Sequence, residues 1–391
     1  MPKTLTKTKT AFIVDQSSFS RAIAGALRFV PSRPTHPVLA NLKLEWSDTT
    51  GLLSISSFDL SAGCEYRIAA DVMESGAITV PARLVADVVN RLPSEAIAIS
   101  VDGLQFTIAA SCGHYALQGM PAADFPAFPE MSDPTARFQW SPADLAAGLA
   151  VHQFASDDVT KQVLTGINLK VAGTSASFAA TDGHRLCVVD SVVASDHLDL
   201  KRTISGRTAA EMLRVVMAIA GDTESVEMEI DDRTVTLKVE GDGLEVMLLG
   251  RVLDGQYPAY EQLIPAQPPH ELVCDRKTLV GALERISAIA AAKSSYHVVK
   301  FQIASDIKVM ADVPDVGSGQ ESMPAQIVRG NAADAPFDIA FNAPYLIESL
   351  KAIATTEVRI EMGTPTSAAL IKPLAAKYLT THLIMPVQIR N

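Results

Sequence analysis

Apolar and polar positions alternate along residues 37–44, 162–169 and 296–303, so the same strand-like run recurs at intervals of about 130 residues. Stretches of helical spacing recur in step with it. One set covers 17–29, 142–153 and 275–293, opening at Ser17, Ser141 and Asp275; a second covers 81–92, 206–220 and 343–353, opening at Pro81, Ser205 and Asn342. Residues 52–56, 225–230, 234–239 and 244–249 alternate again, with turns at Asp231-Asp232 and Gly241-Asp242-Gly243, which predicts an antiparallel meander. The order within each third is helix, strands, helix, strands. A period this long is the size of a domain. The chain therefore reads as three tandem copies of one α+β module. Pro-rich connectors at 121–134 and 258–269 set the boundaries at 1–135, 136–268 and 269–391.

Composition narrows the class. Of the 391 residues, 48% are apolar, enough for each third to close a core. No apolar run approaches the roughly 18 residues needed to cross a bilayer, which predicts no membrane partner. Residues 1–10, without an apolar stretch, read as a loose tail rather than a secretory signal. The four cysteines, 64, 112, 187 and 274, are scattered, which points to a reducing cytoplasm. Net charge is −11, yet the six helical stretches hold eleven Lys or Arg against six Asp or Glu, and the remainder 22 against 38. Basic pairs share helical faces: Arg21 with Arg28, Arg207 with Arg214, Arg83 with Arg91, Lys277 with Arg285. Solvated faces carry such residues routinely. The same pattern also fits a surface that holds a duplex by its phosphates, without reading bases.

Motifs of catalysis are few. The sequence has no Walker lysine loop, nucleophile elbow or His-Glu-x-x-His, no spaced metal ligands, and no feature calling for a cofactor. Gly317-Ser318-Gly319 reads as a flexible loop and Asp157-Asp158 as a polar one. Asp182, His184 and Cys187 offer a hydrolase-like alternative, although neighbouring positions on a strand point to opposite faces.

The motif around those residues is more telling. Thr181-Asp182-Gly183-His184-Arg185-Leu186 comes with Arg33-Pro34-Thr35-His36-Pro37-Val38-Leu39, Met120-Pro121-Ala122-Ala123-Asp124-Phe125-Pro126 and Asp254-Gly255-Gln256-Tyr257-Pro258. Phe341-Asn342-Ala343-Pro344-Tyr345-Leu346 and Met385-Pro386-Val387 follow. In this order they resemble the bacterial DNA polymerase III beta subunit family, the sliding clamps. The resemblance implies three similar domains per chain and a homodimeric, head-to-tail ring with helices lining the hole around double-stranded DNA. It implies no catalysis. Its partners would be the polymerase III alpha subunit, the clamp loader and other proteins carrying a short clamp-binding peptide.

Site residues follow from the same resemblance. Arg33, Lys161 and Gln162 fall where the family touches DNA, joined by the helix cations Arg21, Arg28, Arg83, Arg207, Arg214, Lys277 and Arg285. A peptide pocket would take Leu164, Thr181, Gly183, His184, Arg185 and Leu186 from the middle domain and Pro258 and Leu263 from the join. The last domain would add Asn342, Tyr345, Met385, Pro386 and Val387. Tyr115 and Leu117 facing Ile289 mark the subunit seam. Two departures stand out: Gln262 where relatives carry arginine, and extra residues 388–391 that would reach the pocket mouth. They leave open a second reading, a diverged copy tolerant of a clamp-directed inhibitor.

Overall fold

A computed structural model describes residues 9–129, 131, 133–195, 199–221, 223–292, 297–332 and 334–388. The Met1–Thr8 part of the tail, Tyr296 and the terminal residues 389–391 lie outside the described residues. Among the described residues six α-helices form where the apolar spacing puts them: α1 (Gln16–Ala26), α2 (Ala82–Val89), α3 (Pro142–Leu149), α4 (Gly206–Ile219), α5 (Arg276–Ala290) and α6 (Ala343–Ala352). Their caps repeat as the thirds do. Asp15, Ser141 and Asp275 each accept the backbone N–H three residues on, opening α1, α3 and α5 with a side-chain cap. α2, α4 and α6 start straight from a strand, at Pro81, Ser205 and Asn342, with no side-chain cap. Ser17 is thus already inside α1. Asp15 takes the cap because its carboxylate reaches both the N–H (2.8 Å) and the hydroxyl of Ser18 (3.0 Å).

The strand runs start later than alternation alone suggests. Residues Pro37–Ala40 and Gln162–Thr165 are 3-10 turns, and the strands proper are Asn41–Ser47, Gly166–Ala172 and Val298–Ile303. In Pro37–Ala40, proline at the first turn position, with its fixed φ and no donor, favours the turn over a ladder. Gly317-Ser318-Gly319 is also not a loop: it opens strand Gly317–Pro324, paired residue for residue with Asp306–Val313.

The chain divides into two compact units, Met1–Ala146 with Val193–Leu253, and Ala147–Val192 with Asp254–Asn391, so the middle third contributes to both. In the first unit a nine-stranded antiparallel sheet runs Ala194–Ser195, Ala136–Trp140, Val226–Ile230, Thr234–Gly241, Leu244–Arg251, Gly63–Ala69, Leu52–Phe58, Asn41–Ser47, Gly76–Pro81. The meander 226–251 predicted from sequence lies within it. First and second thirds join where Leu244–Arg251 pairs with Gly63–Ala69. Residues opposite one another across such a ladder share a face. Tyr66 and Val246 are opposite, as are Cys64 and Leu248. Gly25 of α1 rests on the Tyr66 ring, and Gly250, on the Leu248 face, meets Thr208 of α4. α1 and α4, from different thirds, thus lie on one face of one sheet. The other face carries Glu65, Arg67, Lys238 and Glu245.

A second sheet in this unit runs Asp71–Val72, Thr10–Asp15, Ala96–Asp102, Gln105–Ala110, Gly113–Gln118 and ends on the last of these. In the other unit a four-stranded sheet runs Gly317–Pro324, Asp306–Val313, Val298–Ile303, Phe337–Asn342. Its neighbour runs Gly166–Ala172, Ser175–Thr181, Arg185–Val192, Leu379–Ile384, Ala369–Pro373, Glu357–Met362, His270–Asp275, Gln326–Arg329. Second and third repeats join at Arg185–Val192 with Leu379–Ile384. α5 and α6 cover the core between these sheets, burying Leu279, Leu283, Ile286, Leu346 and Leu350. Among the described residues no helix is long and apolar enough to cross a membrane.

The α1 contact makes a test of packing. A Cβ on Gly25 would stand 2.3 Å from the Tyr66 ring, itself 4% exposed. Alanine gains about 1 kcal/mol of helix propensity over glycine. Overpacking against a ring that cannot swing out costs about 1–3 kcal/mol, so the clash wins. Gly25→Ala is expected to lower the urea midpoint; an unchanged or higher midpoint would show that the ring yields.

Candidate peptide and DNA sites

Most of the proposed pocket gathers around one hairpin turn in the second unit. Strands Ser175–Thr181 and Arg185–Val192 are joined by Asp182, Gly183 and His184, with Gly183 at φ +95°, a conformation that a side chain disfavours. The Asp182 carboxylate accepts from the backbone N–H of His184 (2.8 Å) and Arg185 (3.0 Å) and from Arg185 Nε (3.0 Å). The Thr181 hydroxyl donates to the Arg185 carbonyl (2.5 Å) and accepts from Gly183 N–H (3.1 Å). The turn is therefore held by its own side chains, which is the physical content of the hexapeptide.

Arg185 anchors it to the last helix. Only 8% exposed, its guanidinium pairs with Asp182 and with Glu348 of α6. It also lies 4.8 Å from the Tyr345 ring centroid and 5.1 Å from that of Phe154. The exposed His184 ring stacks on Tyr345 with centroids 6.0 Å apart and planes 17° apart. Met385 N–H donates to the His184 carbonyl (2.9 Å) and Val387 N–H to the Ala340 carbonyl (2.8 Å), so the Met385-Pro386-Val387 segment runs between the turn and the strand leading into α6. Asn342, at the start of that helix, has a buried Oδ1 with no hydrogen-bond partner among the described residues.

Strand alternation separates Leu186 from Arg185. Arg185 and Cys187 face Phe154, whereas Leu186 and Val188 face the opposite side, in an apolar cluster with Tyr257, Tyr260, Leu370 and Leu383. Leu164 packs on that cluster. The Tyr257 hydroxyl accepts from Thr181 N–H (3.1 Å), which fixes the segment carrying exposed Pro258; burial pushes the phenol up. Leu263 and Met385, at 59% and 43% exposed, are large apolar side chains left at the surface. Gln262 is exposed beside Leu263. Residues 389–391, expected at the mouth of this site, lie outside the described residues. Phe154, Glu348, Tyr257 and Tyr260 were not singled out as pocket residues. Only Glu348, three residues after Tyr345 on one helical face, carries a signal that could have found it.

The hydrolase-like set does not assemble. Cys187 is 2% exposed and its Sγ neighbours His382 Nε2 at 4.0 Å, not His184. Burial pushes this thiol up, the reverse of what a nucleophilic thiolate requires. Asp158 accepts from the N–H (3.0 Å) and hydroxyl (2.7 Å) of Thr160, as a polar loop does.

The residues proposed for DNA are exposed at the surface: the cations Arg21, Arg28, Arg33, Arg83, Lys161, Arg207, Arg214, Lys277 and Arg285, and the neutral Gln162. Four of them, Arg21, Arg28, Arg207 and Arg214, belong to the α1 and α4 side of one sheet. Lys161 and Gln162 sit at the start of the 3-10 turn before Gly166–Ala172. Tyr115 is half-buried and Leu117 buried in the terminal strand Gly113–Gln118; half-buried Ile289 of α5 lies under Gly319 of the terminal strand Gly317–Pro324.

Comparison with known proteins bears on this geometry. Models of the N-terminal, central and C-terminal domains of the DNA polymerase III beta subunit match residues 10–129, 147–259 and 261–388. The beta sliding clamp of Synechococcus elongatus is 39% identical over 381 residues, covering 96% of this chain and 98% of the relative. The chain belongs to the DNA polymerase III beta subunit family. The beta sliding clamp of Synechocystis is 36% identical over 402 residues, with 97% and 99% covered. Among solved structures of the family, the Bartonella birtlesii sliding clamp bound to griselimycin superposes with a TM-score of 0.87 at 26% identity, covering 97% of this chain and 100% of that one. The α+β repeat of three clamp domains is therefore the family's fold. The second reading, an inhibitor-tolerant copy, gains nothing from these matches.

Proposed function

We propose that this chain is a DNA sliding clamp, a non-catalytic tether that keeps the replicative polymerase on duplex DNA. The observation that carries the reading is the pair α1 and α4: two helices from different repeats on one face of a continuous sheet, presenting Arg21, Arg207 and Arg214, with Arg28 in the 3-10 turn Leu27–Phe29 that follows α1. Backbone phosphates are the partner such a face suits, because cations on helix surfaces hold charge without reading bases. Arg33, Arg83, Lys161, Gln162, Lys277 and Arg285 extend this contact. Domains 1–135, 136–268 and 269–391 supply two helices each.

Ring closure uses the terminal strands. Gly113–Gln118 ends one sheet and Gly317–Pro324 another, and exposed edges of this kind invite pairing. Two different edges joined head to tail close a two-subunit ring, with Tyr115 and Leu117 of one copy near Ile289 of the next. Tethering uses the site around His184, Arg185, Leu186 and Met385. Exposed Leu263 and Met385 receive apolar anchors of a short peptide, and Tyr345, Asn342 and the turn fix its polar groups. Thr181, Gly183 and Leu164 shape that site; Pro258, Pro386 and Val387 line it. The partners are the polymerase alpha subunit, the clamp loader and other proteins carrying such a peptide, in the cytoplasm.

Loading the protein with its clamp loader onto nicked circular DNA, then raising salt, tests this. A ring stays on the circle in high salt and leaves once the circle is cut. A protein held by phosphate contacts alone would lose about a thousandfold or more in affinity on the intact circle, and that outcome would overturn the reading.

A further inference from the structure

The cations of α1, the 3-10 turn after it and α4 are already engaged. Glu211, on α4 and only 8% exposed, takes the Arg28 guanidinium at both carboxylate oxygens, Nη2 to Oε1 at 2.9 Å, and Arg214 Nε at 3.3 Å. Arg21 forks onto Asp242, with Nη1 on the carboxylate and Nη2 on the carbonyl (2.6 Å). Arg207 pairs with Asp59, whose side chain is 7% exposed. Burial pushes the Asp59 carboxyl up, but hydrogen bonds from Ser61 and Ala62 and the Arg207 charge outweigh that and hold it below its ordinary range. The hydrogen bond that Arg28 donates to Glu211 correspondingly raises the guanidinium. By contrast, Arg83 and Lys277 have no carboxylate partner among the described residues.

These partners are not incidental neighbours of the kind a mobile surface supplies. Glu211 and Asp59 are buried, so they cannot swing away, and they lie across chain separations of 183 and 148 residues from the arginines they hold. A phosphate approaching this face must compete with a carboxylate that is already in place. Setting three carboxylates among four arginines on one face, Glu211 serving both Arg28 and Arg214, makes sense where contact must be frequent and never deep.

Resting on the DNA-encircling reading, we propose that Glu211, Asp59 and Asp242 are built-in counter-ions that hold the α1 and α4 arginines back from phosphate and so keep the grip on duplex DNA weak enough to slide. They are positioning residues and touch no base. Each arginine exchanges between its carboxylate and a passing phosphate, so neighbouring positions along the duplex differ little in energy. Affinity is then lower than the four guanidinium groups alone would provide.

The test measures binding of the unloaded full chain to a duplex of about 30 base pairs, by anisotropy, as salt rises from about 50 to 200 mM. Asp242→Asn and Glu211→Gln are each expected to tighten binding about three- to tenfold at the low-salt end and to steepen the salt slope by about one for each arginine released. Asp242 is largely exposed, so its variant folds even if Glu211→Gln does not. Arg21→Gln is expected to weaken binding in the wild type, and to weaken it more in the Asp242→Asn background, where it cancels the gain. Unchanged affinity and slope in Asp242→Asn, or an equal loss on Arg21→Gln in both backgrounds, would overturn the proposal. The two readings fail differently: a wild-type protein that leaves intact circles in high salt sinks the clamp reading. Retention on circles with an unaltered slope in the variants sinks only the counter-ions.

Discussion

Arg185→Ala is expected to cost about 3–5 kcal/mol of stability in the second unit and to abolish peptide capture, the largest effect of any single change at the site. The reason is that the guanidinium is not replaceable by relaxation. Removing it leaves Asp182, with 15% side-chain exposure, without its ionic partner and empties the space between the Phe154 and Tyr345 rings; Glu348, with 53% side-chain exposure, loses its partner but stays solvated. Truncating one member of a buried charged network exposes the other to its full desolvation cost. Arg185→Lys restores the charge but neither the planar fork that spans two carboxylates nor the stacking on two rings, so it recovers less than half of the loss. Urea unfolding followed by tyrosine signal, with binding of a polymerase-derived peptide alongside, measures both. Stability within about 1 kcal/mol of wild type for the alanine variant would show that the pairs around Arg185 contribute no more than ordinary surface ones.

That outcome bears on how far the sequence alone could be read. The six helices were legible because their buried faces repeat at helical spacing, as in Phe19, Ala22, Ile23 and Ala26 of α1. The meander 226–251 was legible because alternation is interrupted only at Asp-rich and Gly-rich turns. Pro37 and Gln162 both fall in strand-like alternation; alternation is blind to the φ restriction that makes Pro37–Ala40 a 3-10 turn, and nothing in the residues of Gln162–Thr165 marks the turn there. Gly317 was read as loop because its strand, at a sheet edge, has few apolar residues to alternate: only Met323 in it is buried. At the site, motif order located the hairpin turn. It did not show that Arg185 and Leu186 diverge to opposite faces, although a period of two implies as much. Phe154 and the carboxylates facing Arg21, Arg28 and Arg207 carry no local signal at all. They come from parts of the chain that only the tertiary fold brings together, as did the sharing of the middle third between two compact units.

His382 supplies the second large effect, through pH. It is 1% exposed and Nδ1 has no hydrogen-bond partner among the described residues; burial, with the nearby Arg185 charge, lowers its pKa from 6.5 to about 4. The folded protein therefore keeps this imidazole neutral while the unfolded chain protonates it near pH 6.5. Stability from the neutral ring is full above pH 6.5 and is lost as pH falls towards 4, by about 3 kcal/mol in all, with no further loss from this group below that. Carboxyls held low by hydrogen bonding, such as Asp275 with Thr278, titrate lower still, so the two windows are distinct. His382→Leu removes the ionisable ring, and its urea midpoint is expected to fall much less than that of wild type between pH 7 and 4.5. Parallel pH profiles for the two proteins would rule the histidine out as the cause. The link to function runs through Arg185: a proton forced onto His382 places a second positive charge near the guanidinium that anchors the hairpin turn. Because the folded ring takes that proton only near pH 4, peptide affinity of the folded protein is expected to hold between pH 6.5 and 4.5, while stability falls over the same range.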